Sequence, residues 1–98
     1  MRKPKEKEVY EHFKGKNRLY EIVTVSKVNG KKVVWYKSLY EDKEKEIYVG
    51  EPFSRPLKEF CGYKKFDEDY TNYDGKEFKK GEKVKRFTLV KSLGDKVK

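Results

Sequence analysis

The stretch LYEIVTVSKVNGKKVVWYKSLY, Leu19 to Tyr40, decides the fold. Two β-branched and aromatic runs flank Asn29-Gly30, the pair that most readily adopts the positive φ angles of a type I′ turn, so the stretch reads as a tight antiparallel hairpin. Counting outward from a two-residue turn places Val25 opposite Val34, Val23 opposite Tyr36 and Leu19 opposite Tyr40. Side chains alternate across a strand, so these six share one face, expected to be the core face. The other face carries Tyr20 with Leu39, Ile22 with Lys37, Thr24 with Trp35 and Ser26 with Val33. That mixture leaves Trp35 and Tyr20 either covered by another segment or displayed for stacking.

Downstream, Ile47 to Val49 reads as a short strand. Pro52 and Pro56 then exclude a central strand, because proline donates no ladder hydrogen bond. In RPLKEF, Arg55 to Phe60, Pro56 suits the start of a single helical turn, with Leu57 and Phe60 three apart and pointing the same way. Residues 60–80 are rich in Tyr, Asp and Lys with a turn signal at Asp74-Gly75, either a mobile excursion or an added hairpin. KVKRFTLV, Lys83 to Val90, alternates again and reads as the closing strand, Phe87 and Leu89 on one face and Arg86 and Thr88 on the other. The segments Met1 to Glu8 and Ser92 to Lys98 read as charged tails around one domain spanning 9–91. About five short strands, one tight hairpin and one helical turn predict a mainly β fold: a small SH3-like barrel, with a strongly bent antiparallel sheet as the alternative.

Composition agrees with one small domain. The 98 residues are 35% hydrophobic, 15% aromatic and 44% charged, so Phe, Tyr and Trp must supply much of the core volume. The absence of Ala and Gln beside abundant Lys and Tyr points to an AT-rich genome. A formal charge of +9 implies anionic partners, but 17 acidic residues are mixed among the lysines, and EDKEKE, Glu41 to Glu46, reads as a solvated connection. One cysteine, Cys61, and one histidine, His12, argue against an internal disulfide and against a zinc site. The sequence carries neither a signal-peptide core nor an apolar run near 20 residues, so a cytoplasmic protein with no membrane partner is expected.

Enzymatic readings find little support: no P-loop or GxGxxG occurs, and Asp67, Glu68 and Asp69 fall in a polar, turn-like stretch. A non-enzymatic protein with no cofactor is expected. Binding chemistry is better represented. The chain holds 22 lysines and four arginines, so an arginine at Arg55 or Arg86 suggests that the planar fork matters, because it grips phosphate or carboxylate through two parallel hydrogen bonds. The competing role for Arg55 is an ion pair to Glu21 or Glu59. Lys14, beside Gly15, is placed to meet an anion; His12 either binds a ligand or fastens the first strand. Trp35 and Tyr20 are the better stacking candidates; Tyr36, on the face of Val23 and Val25, is assigned to the core.

The pieces YEHFKG (Tyr10 to Gly15), YEI (Tyr20 to Ile22), VVWYKSLY (Val33 to Tyr40), SRPLKEF (Ser54 to Phe60) and GEKVKRF (Gly81 to Phe87) together resemble a family of small bacterial and phage domains of unknown function. The resemblance covers nearly the whole chain. This chain departs from the family pattern at Trp35, at EPFS before the RPL motif, and in the longer connection from Phe66 to Lys80. The resemblance implies a small β domain in a bacterial cell or phage-infected host, and brings no activity with it. Three functions remain open. The chain captures a phosphate-bearing nucleotide through Arg55, Arg86, Lys14, His12, Trp35 and Tyr20, as a phage protein sequestering a host immune signalling nucleotide would. Alternatively it binds RNA or single-stranded DNA, or it is a protein-interaction adaptor. Whether it forms a homo-oligomer is also open.

Overall fold

Asn29 and Gly30 take φ angles of 52° and 81°, the left-handed pair of a type I′ turn, which only a residue without a Cβ and a short polar residue adopt cheaply. The turn joins β2 (Leu19–Val28) to β3 (Lys31–Ser38). The computed structural model describes residues 3–15 and 17–91; the Ser92 to Lys98 segment lies outside them. Among the described residues about 49% are strand and 5% helix, so the mainly β expectation holds.

Near the turn the register is as expected: Val25 faces Val34, Thr24 faces Trp35 and Ser26 faces Val33. Beyond Thr24 it is not. A β-bulge leaves Val23 without a partner, so Ile22 faces Tyr36 and Tyr20 faces Ser38. One extra residue exchanges the faces of everything upstream. Ile22 and Tyr20 enter the core and Val23 is 47% exposed, the reverse of their expected positions. Leu19 and Tyr40 are only partly buried.

The hairpin is the centre of a five-stranded sheet ordered β4-β3-β2-β1-β9, with β1 at Val9–His12, β4 at Pro52–Pro56 and β9 at Phe87–Lys91. Every neighbouring pair is antiparallel. The sheet is bent and does not close, so the barrel expectation is replaced by the bent sheet. Proline explains one edge: β4 begins and ends on residues with no N–H to offer a further strand. The helical turn α1 (Leu57–Phe60) follows with Pro56 as its N-cap, and Leu57 and Phe60 are buried as expected.

Aromatic rings fill the concave side. Phe60 and Phe87 stack with centroids 4.2 Å apart, Tyr10 meets Phe60 edge-on at 5.2 Å, and Tyr20 meets Tyr36 edge-on at 5.2 Å. Such pairs contribute about 0.5–1.5 kcal/mol beyond their area burial.

Two expected strands differ. Ile47 to Val49 forms a single bridge, Ile47 to Asp42, because the chain turns at once and Ser38 Oγ donates to the Tyr48 carbonyl. Lys83 to Val90 is broken at Arg86 into β8 (Lys83–Lys85) and β9, which belong to different sheets. β8 pairs with β5 (Tyr63–Lys65), and β6 (Tyr70–Thr71) pairs with β7 (Glu77–Phe78) around the Asp74-Gly75 turn. Residues 66–80 therefore form the added hairpin. It carries its own small aromatic core, in which Phe66 stacks on Phe78 at 4.9 Å and Phe13 meets Phe66 edge-on at 5.6 Å. Ordered packing also begins before Val9: Glu8 is buried and accepts hydrogen bonds from the Lys5 amide and the Tyr10 hydroxyl.

Candidate functional site

Antiparallel pairing brings the end of β1, the starts of β2 and β4, the end of β3 and the start of β9 to one end of the sheet, away from the Asn29-Gly30 turn. There a cavity of about 140 Å³ opens, lined by His12, Lys14, Arg18, Lys45 and Arg55 among its polar groups, with Asp42 its one carboxylate. Tyr20, Tyr36, Phe53 and Phe87 form its inner end, and Tyr40, Ile47 and Tyr73 stand toward the mouth.

Arg55 leaves β4 from the position opposite Val34. Its Nε donates to the Tyr36 hydroxyl at 3.0 Å and its Nη1 to Glu59 Oε1, one turn along α1. Nη2 makes no hydrogen bond among the described residues. The ion pair to Glu59 considered from the sequence is therefore present, and the fork still borders the cavity. Arg18 lies between two rings, its guanidinium carbon 4.8 Å from the Tyr40 centroid and 4.2 Å from that of Tyr73, with Nη2 3.3 Å from Asp42 Oδ2. Asp42 also holds the loop that carries Lys45: its Oδ1 accepts from the amides of Glu44 and Lys45.

His12 is 8% exposed. Its Nδ1 accepts the Lys14 amide at 3.2 Å, which assigns the ring proton to Nε2. Burial, then the charges of Lys14, Arg55, Arg86 and Lys45, push its pKa down to about 3, so it is a neutral N–H donor near neutral pH. Burial, then Lys45, likewise holds Lys14 below the usual lysine range. Lys45 is shifted the other way, upward, through its hydrogen bond to Tyr73, and that bond lowers the Tyr73 phenol. Tyr20 is raised by burial and by its 2.5 Å hydrogen bond to the Tyr40 hydroxyl.

Of the six residues singled out from the sequence, the cavity brings together His12, Lys14, Tyr20 and Arg55. Tyr20 is part of the inner wall and is met edge-on by Tyr36, Tyr40, Phe53 and Phe87, so it offers no open face for stacking. Trp35 is on the opposite face of the sheet, donating its indole N–H to Ser26 Oγ. Alternation makes this unavoidable, because its neighbours Val34 and Tyr36 both point inward. Arg86 sits at the step between β8 and β9, outside the cavity lining, with its Nε buried and without a hydrogen bond. It acts on the site through its charge on His12, and its carbonyl accepts the Phe13 amide beside it.

Sequence reasoning missed Arg18, Lys45, Tyr73 and Asp42. Tyr73 arrives by a long-range bond, its amide donating to the Lys14 carbonyl. The hairpin that delivers it is anchored by Asn72, whose Nδ2 donates to the Phe13 carbonyl and whose Oδ1 accepts from the Asp74 and Lys76 amides. An asparagine two residues before Asp-Gly was the available signal.

No protein-family model, no curated protein and no solved structure matches the chain. Among the described residues no helix is long and apolar enough to cross a membrane.

Proposed function

We propose that this protein is a non-enzymatic receptor that captures a phosphate-bearing nucleotide in the cavity at the end of the sheet. One observation carries the reading: four cations, Lys14, Arg18, Lys45 and Arg55, and the neutral donor His12 converge on a small aromatic-walled cavity that holds one carboxylate. Charge of one sign between low-dielectric walls focuses the field on an entering anion. The volume, about 140 Å³, suits a phosphate group and not a drug-sized ligand, so the sugar and base lie at the mouth, where Tyr73 is exposed.

A polynucleotide track fits less well. It needs a continuous basic stripe and open aromatic faces, and the one tryptophan is on the other side of the sheet.

Native mass spectrometry of the chain purified from nucleotide-rich lysate tests the proposal. A retained mononucleotide-sized mass, recovered chemically unchanged, supports it. Co-purifying polynucleotide, or ligand returned as a hydrolysed product, overturns it.

A further inference from the structure

One end of the cavity is lined by the partly or largely exposed residues Tyr40, Ile47 and Tyr73. Tyr20, Tyr36 and Phe87 close the other, exposed by 8%, 4% and 2% respectively, with Phe53 stacked on Tyr36 at 5.8 Å. The cations stand around the sides: Lys14 and Arg18 between β1 and β2, Lys45 between β3 and β4, and Arg55 on β4. An anion entering such a space presents one end and trails the rest of itself through the mouth.

We propose that the captured group is a terminal phosphate monoester, as in a nucleoside monophosphate, and not a bridging phosphodiester. This assignment rests on the phosphate-binding reading above. A diester leaves its phosphorus by two ester arms, and the second arm would run into the aromatic inner wall. A monoester has one arm, which leaves by the mouth, and three unesterified oxygens. Those oxygens meet donors on different sides: the Arg55 Nη2 group, which makes no other hydrogen bond among the described residues, the His12 Nε2–H, and the ammonium groups of Lys14 and Lys45.

Charge favours the same choice. A monoester is a dianion above a second pKa of about 6, whereas a diester carries one negative charge. Four cations, set against Asp42 in the lining and Glu59 on Arg55, interact with the second charge as well as the first. The groups facing the anion are Lys14, Arg18, Lys45, Arg55, Asp42, His12 and Tyr73. In the empty cavity His12 is neutral down to about pH 3, a bound anion can only favour its protonated, attractive form, and acidification keeps Lys14 protonated. Loss of binding on mild acidification therefore reports the ligand's own second proton.

Titration calorimetry of the full chain with adenosine 5′-monophosphate and with its methyl ester, a linear diester of the same nucleoside, tests this at two pH values. At pH 7.5 the monoester is expected to bind at least tenfold more tightly. Moving to pH 5.0 should weaken it about tenfold, the fall in its dianion fraction, and leave the diester unchanged. Equal or tighter binding of the diester, or a monoester affinity independent of pH, overturns the assignment and leaves the phosphate reading standing. Failure of both nucleotides and of inorganic phosphate to bind at millimolar concentration overturns the reading itself. Lys45→Ala, at an exposed position, should weaken the monoester several-fold with unchanged thermal melting; unchanged affinity there and in Lys14→Met counts against the assignment.

Discussion

Arg55 has two partners of its own and borders the cavity, so its two roles need separate variants. Arg55→Lys removes the fork and should weaken phosphate binding tenfold or more by calorimetry. Glu59→Gln breaks the same ion pair but leaves the fork in place. That pair is partly exposed, 29% and 45% at its two side chains, and pairs in such settings contribute about 0.2–1 kcal/mol. Glu59→Gln should therefore cost less than about 1 kcal/mol in urea unfolding and leave ligand affinity unchanged or improved. Equal losses of affinity in both variants would make Arg55 a brace for α1 whose effect on the site is indirect.

His12 couples folding to pH. Its pKa is about 3 in the folded chain against 6.5 for the free side chain, so below pH 6.5 the unfolded chain binds a proton that the folded chain refuses. Its contribution to stability is complete above about pH 6.5 and declines as the pH falls toward 3, at about 1.4 kcal/mol per unit. At pH 5 the loss is about 2 kcal/mol. His12→Asn, which can still accept the Lys14 amide, should show a difference between pH 7.5 and 5 smaller by that amount in urea titrations. An undiminished difference would place the acid sensitivity elsewhere.

Among the elements, the bulge in β2 decides which residues are core. Ile22→Ala should cost about 2–5 kcal/mol, the usual range for truncating a buried aliphatic side chain, whereas Val23→Lys should change stability by less than about 0.5 kcal/mol. Chemical denaturation of the two variants checks the assignment, and the reverse order would place Val23 inside. From sequence, the Asn29-Gly30 turn, the register beside it and the Pro56-led helical turn were legible, because each has a local backbone cause. The bulge was not, since Tyr20, Ile22 and Val23 are all acceptable on a buried face and nothing local marks the unpaired one. The site was legible in the same measure. Arg55, Lys14 and His12 stand beside motifs, whereas Arg18, Lys45 and Tyr73 reach the cavity from polar stretches whose return to it depends on long-range bonds such as Tyr73 to Lys14.

Across the whole molecule, the charge of +9 invites a polynucleotide reading that salt can separate from capture of one small anion. A protein neutralising six to ten phosphates loses about 10³–10⁵ in affinity between 50 and 200 mM salt. A single phosphate group in a walled cavity is screened far less, so nucleotide affinity should fall by less than about tenfold over that range. Calorimetry or equilibrium dialysis across a salt series checks this, and a slope near that of a polynucleotide binder would count against a cavity ligand.

Trp35 is 38% exposed on the convex side and fastened to Ser26. It is the sole indole in the chain and it is separated from the cavity by the thickness of the sheet. Its emission should follow melting of the hairpin and be blind to occupancy, so a flat fluorescence titration is the expected result even when every cavity is filled.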